Sequence, residues 1–284
     1  MKLNRRQLRK RCEQSIESIL IEDILDTGGE VYDLRTGSYL GYRQYGSPVL
    51  AVAHLDYVNV PHRWRFDRAR TRIYTPRLDD RLGVYTILDH LPSIGIQCDI
   101  LLTTDEEIGQ TTASEFADCF PDHPPYRWIV EFDRRGEDVV TYDLDSPNWL
   151  QSLERSHFNL GRGSFSDISA LEFGANQVEL PCMVNIGVGY HHEHSTECYV
   201  ELSQWKRQLT RFSHFWEHNS ETEYVQETPE VEIPSWPACK PELRNPWWDK
   251  HQGIKSCNRC FLPLNHWESQ LCDQCEWEGE TGNE

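Results

Sequence analysis

Apolar segments that end in polar residues recur along the first 220 residues of the chain. Four of them have the length and composition of buried strands: residues 49–56, 98–104, 126–132 and 182–188. Other segments repeat their apolar residues at helical spacing: residues 4–26, 81–91, 112–120 and 202–218. Because strands alternate with helices, the sequence predicts an α/β fold with a mixed, largely parallel central sheet flanked by helices.

Histidine and acidic residues follow the predicted strands at their carboxyl ends. His54 and Asp56 end the first strand, Glu106 and Glu107 follow the second, and Asp133 follows the third. In sheets of this kind, functional residues collect just beyond the carboxyl ends of the strands. Imidazoles and carboxylates are the ligands of zinc hydrolase sites. Five such ligands can hold two metal ions if one carboxylate bridges them, and an unligated carboxylate is needed to take a proton from water.

Five short motifs occur in an order that is typical of one group of enzymes. They are His54-Leu-Asp56, Leu78-Asp-Asp-Arg-Leu-Gly83, Thr104-Asp-Glu-Glu-Ile-Gly109, Phe132-Asp133 and Gly189-Tyr-His-His-Glu-His-Ser195. Each motif alone is common, and such residues most often cap helices or lie on the surface. In this order they resemble the co-catalytic zinc exopeptidases, the group of peptidase T, carboxypeptidase G and related zinc aminopeptidases. The resemblance covers roughly residues 10–215.

The resemblance implies a site for two catalytic zinc ions, or for cobalt or manganese ions in their place. The implied metal ligands are His54, Asp79, Glu107, Asp133 and His194. Asp79 would bridge the two ions, Glu106 would be the general base, and Asp56 would fix the ring of His54. His192 is an alternative last ligand, because the glutamate after His194 comes one residue earlier than in peptidase T.

The resemblance also bears on substrate binding. The segment Arg162-Gly-Ser-Phe-Ser-Asp167 stands where these enzymes carry a glycine-rich Gly-Thr-Asp loop, so Asp167 and Arg162 are expected to contact the substrate. Only 25 residues separate the first two implied ligands, and 61 separate the last two. These gaps leave no room for the inserted lid or dimerisation domains of some relatives. The sequence therefore resembles a minimal catalytic domain.

The implied activity is hydrolysis of a peptide or amide bond, with a peptide or an acylated amino acid as substrate. Asp133 stands where aspartate is commoner among aminopeptidases of these families, and an acidic site suits a free amine. An aminopeptidase of short peptides is therefore the first hypothesis. A carboxypeptidase or an N-acyl amino acid deacylase stays open, because four arginines lie near the motifs: Arg81, Arg134, Arg135 and Arg162. The alternative of another class is an inactive peptidase-like binding or targeting protein.

The charge of the chain excludes some partners. Asp and Glu number 46 against 28 Lys and Arg, which gives a formal charge of -18. This balance argues against a nucleic-acid partner and against docking on anionic lipid. No apolar run approaches the roughly 20 residues of a membrane-spanning helix, so no membrane association is expected. We read no secretory signal after the basic N-terminus, and we expect a reducing cytoplasm as the compartment.

The composition changes after residue 220. Residues 221–255 are acidic and contain five prolines and three tryptophans, which predicts a linker or an extended arm. Residues 256–284 carry two Cys-x-x-Cys pairs, formed by Cys257, Cys260, Cys272 and Cys275. This arrangement is typical of a tetrahedral structural zinc site and resembles a zinc ribbon. We therefore expect a di-zinc peptidase-like domain over 1–220, the arm, and a zinc-binding module that could bind a protein partner.

Overall fold

The structure is a computed structural model that describes residues 3–227. Most of the predicted acidic arm and the four-cysteine module lie outside the described residues, including Cys257, Cys260, Cys272 and Cys275. The predicted structural zinc site therefore stays a prediction.

Within residues 3–227, twelve strands form two sheets. In chain order they are β1 Glu30–Arg35, β2 Ser38–Arg43, β3 Val49–His54, β4 Arg65–Phe66, β5 Arg72–Tyr74, β6 Asp99–Thr103, β7 Trp128–Arg134, β8 Asp138–Val140, β9 Asn159–Leu160, β10 Cys182–Gly187, β11 Tyr190–His191 and β12 Tyr199–Glu201. The large sheet has the order β1-β2-β6-β3-β7-β10-β8-β9, and the small sheet has the order β11-β12-β5-β4.

The centre of the large sheet is parallel. Strands β6, β3, β7 and β10 run in one direction, whereas β1, β2 and β8 add antiparallel pairs at the two sides. The α/β prediction with a mixed, largely parallel sheet is thus confirmed. Because parallel neighbours end at the same edge, the residues that follow β3, β6 and β7 come together there.

Helices of several kinds cover the sheet. The α-helices are α1 Arg5–Glu13, α2 Ile16–Ile19, α3 Arg81–Tyr85, α4 Leu91–Ser93, α5 Phe116–Cys119, α6 Pro147–Arg155 and α7 Leu202–Asn219. Two π-helical segments, Leu20–Leu25 and Thr86–His90, continue α2 and α3. Short 3-10 turns cover Pro76–Leu78, Glu106–Ile108, Thr112–Glu115 and Asp167–Ala170. The helix predicted over 4–26 breaks at Ser15, whose hydroxyl accepts the N–H of Ser18 and caps a new helix.

The two faces of the sheet build two apolar cores. Val49, Ala51 and Ala53 of β3 face one core, and Leu50 and Val52 face the other. Successive side chains of a strand point to opposite faces, so a strand covered on both sides is apolar throughout. The first core packs α1, α3, α6 and α7, and the second packs α5 and the turn at Asp167–Ala170. The carboxyl edge of β3 is therefore held rigidly from both sides.

The compact part of the chain continues beyond α7. Tyr224 is 7% exposed, its carbonyl accepts the N–H of Cys182 at 2.7 Å, and its ring lies 4.8 Å from that of Trp149. Residues 221–227 thus pack on the sheet, although the sequence places the start of the arm at 221. No helix within residues 3–227 has the length and apolar character needed to cross a membrane.

Candidate metal centre

The candidate ligands lie on five separate segments at the carboxyl edge of the large sheet. His54 is the last residue of β3, and Asp133 lies near the end of β7. Asp79 follows the turn Pro76–Leu78, and the peptide bond after it is cis. Glu107 lies in the 3-10 turn after β6, and His194 lies between β11 and β12.

Asp79 lies between the two histidines. Its Oδ1 is 3.3 Å from His54 Nε2, and its Oδ2 is 3.1 Å from His194 Nε2. Each oxygen of one carboxylate thus faces a different imidazole. This is the arrangement that a bridging carboxylate between two metal ions requires.

One further carboxylate accompanies each histidine. Asp133 Oδ2 is 3.5 Å from His54 Nε2, and Glu107 Oε2 is 2.9 Å from His194 Nε2. Ligand atoms of His54, Asp79 and Glu107 also lie within 4.8 Å of one another. The five candidate ligands therefore form two groups of three that share Asp79.

These residues fit a pair of divalent metal ions. Both side-chain oxygens of Glu107 are buried and accept no hydrogen bond within residues 3–227, although His194 is near. Buried carboxylate oxygens without a partner are costly, and a cation would satisfy them. Two imidazoles and three carboxylates form a donor set suited to zinc, cobalt or manganese.

Carboxylates and imidazoles shift one another's pKa in this site. Burial lowers the pKa of His54, but Asp133, Asp56 and Asp79 together outweigh it and raise that pKa well above its usual value. Burial tends to raise the pKa of Asp79, but hydrogen bonds from His194 and His54 hold it well below its usual value. Burial and the charge of Asp79 raise the pKa of Glu107 to about 7. The site thus holds more carboxylates than its two imidazoles neutralise.

Glu106 lies beside the two groups of ligands rather than within them. Its Oε2 is 4.0 Å from His54 Nε2. Burial and neighbouring acidic groups raise its pKa to about 7 despite the opposing effect of His54. A carboxylate with a pKa near neutrality exchanges protons readily at physiological pH, as a general base must.

Asp56 contacts both sides of the site. Its Oδ1 is 3.3 Å from His54 Nδ1, and its Oδ2 accepts the backbone N–H of Glu107 at 3.2 Å. The same ring nitrogen forms its hydrogen bond with the backbone carbonyl of Asp56, at 3.2 Å. A partner on the second ring nitrogen of a metal-binding histidine fixes the tautomer and the ring orientation. The contact with the Glu107 backbone is not evident in the sequence, because the two residues are 51 positions apart.

The structure brings His194, and not His192, to the other candidate ligands. The ring of His192 instead lies 5.7 Å from that of Tyr199. Both histidines have a left-handed backbone with φ of 58°, and both side chains are exposed. The turn 191–195 therefore points the two rings to different places.

The two histidines offer a matched pair of variants. We expect His194→Ala to bind less metal than the wild type, because it removes a candidate ligand, and His192→Ala to bind as much as the wild type. Elemental analysis of the purified full-length variants measures the difference. Zinc bound by the four cysteines would contribute equally to both variants. Loss of metal from His192→Ala alone would reverse the ligand assignment.

Asp167 and Arg162 do not lie together at the site. Asp167 is fully buried, and its carboxylate accepts hydrogen bonds from Thr103 Oγ1 at 2.6 Å and from Thr111 Oγ1. Two threonine hydroxyls thus already occupy its carboxylate, and the expected contact with substrate stays a prediction. Arg162 is exposed, and its carbonyl accepts a hydrogen bond from Arg134.

Asp167 instead fixes the loop that carries the two glutamates. Thr103 precedes this loop and Thr111 ends it, so one carboxylate holds both ends. Where the two ends of the loop meet, the N–H of Thr104 donates to Thr112 Oγ1 at 3.0 Å. The hydroxyls of Thr104 and Thr112 both donate to the carbonyl of Tyr39. Threonines on both sides of the acidic motif were the only signal of this arrangement in the sequence.

Two residues that the sequence analysis missed hold Asp133. The backbone N–H of Asp133 donates to Asn185 Oδ1 at 3.0 Å. The hydroxyl of Tyr190 donates to the carbonyl and to Oδ1 of Asp133, both at 3.2 Å. Tyr190 lies within the quoted Gly-Tyr-His motif, so its position was available from the sequence, but its role was not.

Among the comparisons with known proteins, the one with solved structures finds matches. No protein-family model matches the sequence, and no curated protein is significantly similar to it. Solved structures do match. A TET aminopeptidase from a marine sediment archaeon of the Thaumarchaeota has a TM-score of 0.52 at 13% identity, covering 73% of this chain and 94% of its own.

Two other archaeal structures agree. An aminopeptidase from Desulfurococcus kamchatkensis has a TM-score of 0.51 at 13% identity, covering 75% of this chain and 94% of its own. The TET1 peptidase from Pyrococcus horikoshii has a TM-score of 0.50 at 13% identity, covering 73% of this chain and 97% of its own. At this identity the likeness establishes a shared fold, which this chain builds with almost unrelated residues.

Proposed function

We propose that the protein is a metal-dependent aminopeptidase that acts on short peptides. The observation that carries the proposal is the position of Asp79, with one oxygen facing each of two histidines. Glu106, beside them, is the carboxylate that no group of ligands uses. The fold shared with aminopeptidases from two archaea supports the same reading.

The proposed cofactors are two catalytic zinc ions, for which cobalt or manganese could substitute. His54 and Asp133 would hold one ion, Glu107 and His194 the other, and Asp79 both. When bound, such a pair lowers the pKa of water and polarises a carbonyl group.

The side chains of this protein would transfer the proton and position the metal ligands. Glu106 accepts a proton from the water that attacks the carbonyl carbon, and it returns this proton to the leaving amine. Asp56 holds the ring of His54, and Tyr190 and Asn185 hold Asp133. Because these contacts lie on strands and on a closed loop, the site is organised before substrate binds.

The surrounding charges favour a substrate amine over a substrate carboxylate. Arg134 is 2.7 Å from Asp138, Arg135 is 2.5 Å from Glu193, and Arg81 is completely buried. Three of the four arginines near the motifs are therefore paired or inaccessible. A carboxypeptidase or an N-acyl amino acid deacylase would depend on Arg162, and this alternative is the second candidate.

The cysteines support a reducing compartment. Cys12, Cys98, Cys182 and Cys198 are buried free thiols, and Cys119 is a half-buried one. We propose the cytoplasm as the location. For Cys257, Cys260, Cys272 and Cys275 we propose one structural zinc ion in a module that could bind a protein partner. The sequence spacing is the support for that site.

Metal content and substrate blocking test the proposal together. We expect about three zinc ions per full-length chain, two in the catalytic site and one with the cysteines. A chelator should abolish hydrolysis of a peptide with a free N-terminus, and added zinc, cobalt or manganese should restore it. The same peptide with an acetylated N-terminus should be resistant.

The outcomes separate the alternatives. Release of the acyl group or of the C-terminal residue from the acetylated peptide would establish the second candidate. If the chain held about one zinc ion and stayed inactive after metal addition, the remaining hypothesis would be an inactive peptidase-like binding protein.

A further inference from the structure

An arginine-rich hairpin interrupts the acidity of the chain. Residues 61–77 contain six arginines and a single acidic residue, Asp67. They form strands β4 and β5, with Arg65 opposite Tyr74 and Phe66 opposite Ile73. The carboxylate of Asp67 accepts the N–H of Arg72 at 2.7 Å and the hydroxyl of Thr71 at 3.0 Å. The one acid therefore closes the turn and neutralises none of the exposed arginines.

The hairpin and the start of α1 form one surface, which we call the arginine face. It consists of Arg5, Arg63, Arg65, Arg68 and Arg70. Arg5 joins it because Nη2 donates to the carbonyl of Arg70 at 3.0 Å and the guanidinium lies 5.2 Å from the ring of Phe66. Phe66 is itself exposed, with 38% of its surface accessible. The face thus combines cations with an exposed aromatic ring.

Three arginines of this face have no partner in the described chain. Within residues 3–227, the exposed side chains of Arg63, Arg68 and Arg70 make neither an ion pair nor a hydrogen bond. Their neighbours show what such groups bind here. Arg65 is 2.6 Å from a carboxylate oxygen of Glu197, and Arg72 is 2.7 Å from one of Glu201. Guanidinium groups pair with carboxylates through two parallel hydrogen bonds.

The small sheet connects the arginine face to the candidate metal centre. Its order is β11-β12-β5-β4, and the turn that carries His194 joins β11 to β12. Glu197, the partner of Arg65, is three residues after His194. Strands lie about 4.8 Å apart, so β4 is roughly 14 Å from β11, a span of about four residues of extended peptide. Tyr74 pairs with Tyr199 and Arg72 with Glu201, so Arg63, which precedes β4, lies at the end of the small sheet near His194. The turn that carries Arg68 and Arg70 lies at the opposite end.

We propose that the arginine face binds acidic side chains of the peptide substrate, several residues beyond the bond that is cleaved. This inference rests on the proposed aminopeptidase function. An aminopeptidase holds the N-terminus of its substrate at the metal centre, so the remaining residues must leave across the neighbouring surface. Arg63 lies within reach of the fourth residue, and Arg68 and Arg70 lie within reach of later ones only. The preferred substrates are peptides with Asp or Glu at these positions.

Three hexapeptides with the same first three residues test this preference. Ala-Ala-Ala is followed by three Glu, three Gln or three Lys, so the cleaved bond is the same in all three. At low salt we expect kcat/KM for the Glu peptide to exceed that for the Gln peptide by about tenfold, with the Lys peptide lowest. Because exposed charges are screened by salt, the difference should largely disappear at 0.5 M NaCl.

A charge-reversal variant assigns the preference to the face. Arg63→Glu/Arg68→Glu should remove or invert the order of the three peptides. Arg155→Glu/Lys206→Glu is the matched control, because it reverses two exposed cations on α6 and α7. Hydrolysis of Ala-Ala, which is too short to reach the face, should be equal in all three proteins.

The results separate failure of this inference from failure of the proposed function. Cleavage of Ala-Ala without a preference among the hexapeptides, or a preference that Arg63→Glu/Arg68→Glu retains, would overturn the inference alone. Absence of Ala-Ala cleavage in the metal-loaded protein would overturn the function on which it rests. Binding of a fluorescent 12-nucleotide single strand that the variant loses, without a peptide preference, would assign the face to nucleic acid instead.

Discussion

The variant Glu106→Gln should bind its metal ions normally and lose nearly all turnover. Glutamine keeps the shape of the side chain but cannot accept the proton of water, whereas the candidate ligands Glu107 and Asp79 are unchanged. Loss of general base catalysis lowers rates by about 10²–10⁴-fold. The measurement is kcat on a peptide with a free N-terminus, together with metal content per chain.

A neighbouring acid provides the control for Glu106. Glu115 lies nine residues further on, in the 3-10 turn Thr112–Glu115, and is half-buried. Glu115→Gln removes the same charge from the same part of the chain and should leave kcat unchanged. A Glu106→Gln protein that retained near-wild-type kcat would show that another group takes the proton.

Replacement of Asp79 by alanine should remove both catalytic metal ions. Asp79 is the residue that faces both histidines, so its loss leaves each group with two ligands. The two ions supply several kcal/mol of charge stabilisation in the transition state, so turnover should fall by about 10³-fold or more. Elemental analysis should find only the zinc assigned to the cysteines.

Asp56→Ala is the comparison variant for Asp79→Ala, because it should weaken metal binding without abolishing it. Asp56 orients His54 without belonging to either group of three ligands, and loss of such a partner weakens metal binding by about 10–100-fold. Its activity should therefore recover at high zinc concentration, whereas that of Asp79→Ala should not. Both variants must give the far-ultraviolet circular dichroism of the wild type. Retention of two catalytic metal ions by a folded Asp79→Ala protein would rule out the bridging role.

The part of the fold that the sequence predicted is the part with a strong hydrophobic pattern. Strands β3, β6, β7 and β10 are buried on both faces, and each appears in the sequence as a mostly apolar run, with Glu131 inside β7 and Asn185 inside β10. Helix α6 was missed, although Ser146 before Pro147 is a typical start signal. The hairpin of β4 and β5 was missed because its arginines face solvent and leave no apolar alternation to detect.

The sequence predicted those parts of the candidate site in which a histidine or an acidic residue directly follows a predicted strand. His54, Glu107 and Asp133 follow apolar runs, and the structure gathers them at one edge. Asp167 shows the limit of such reasoning. The resemblance to the zinc exopeptidases suggested that it contacts substrate, and this stays a prediction. Its hydrogen bonds to Thr103 and Thr111 depend on packing between segments about 60 residues apart. Spacing along the chain does not report such contacts.

The sharing of Asp79 between two histidines has a consequence for how the protein folds. His54 and His194 are 140 residues apart in the chain, so an unfolded polypeptide has no comparable site. Ions that bind only the folded state raise its stability by mass action, by about 2.7 kcal/mol for one ion at 100 times its dissociation constant. Contacts between residues so far apart in the chain also form slowly during folding, because a long loop must close first. Metal supply would thus affect the stability of the folded chain as well as its activity, and scarcity of metal would raise the fraction of unfolded chain that proteases can cleave.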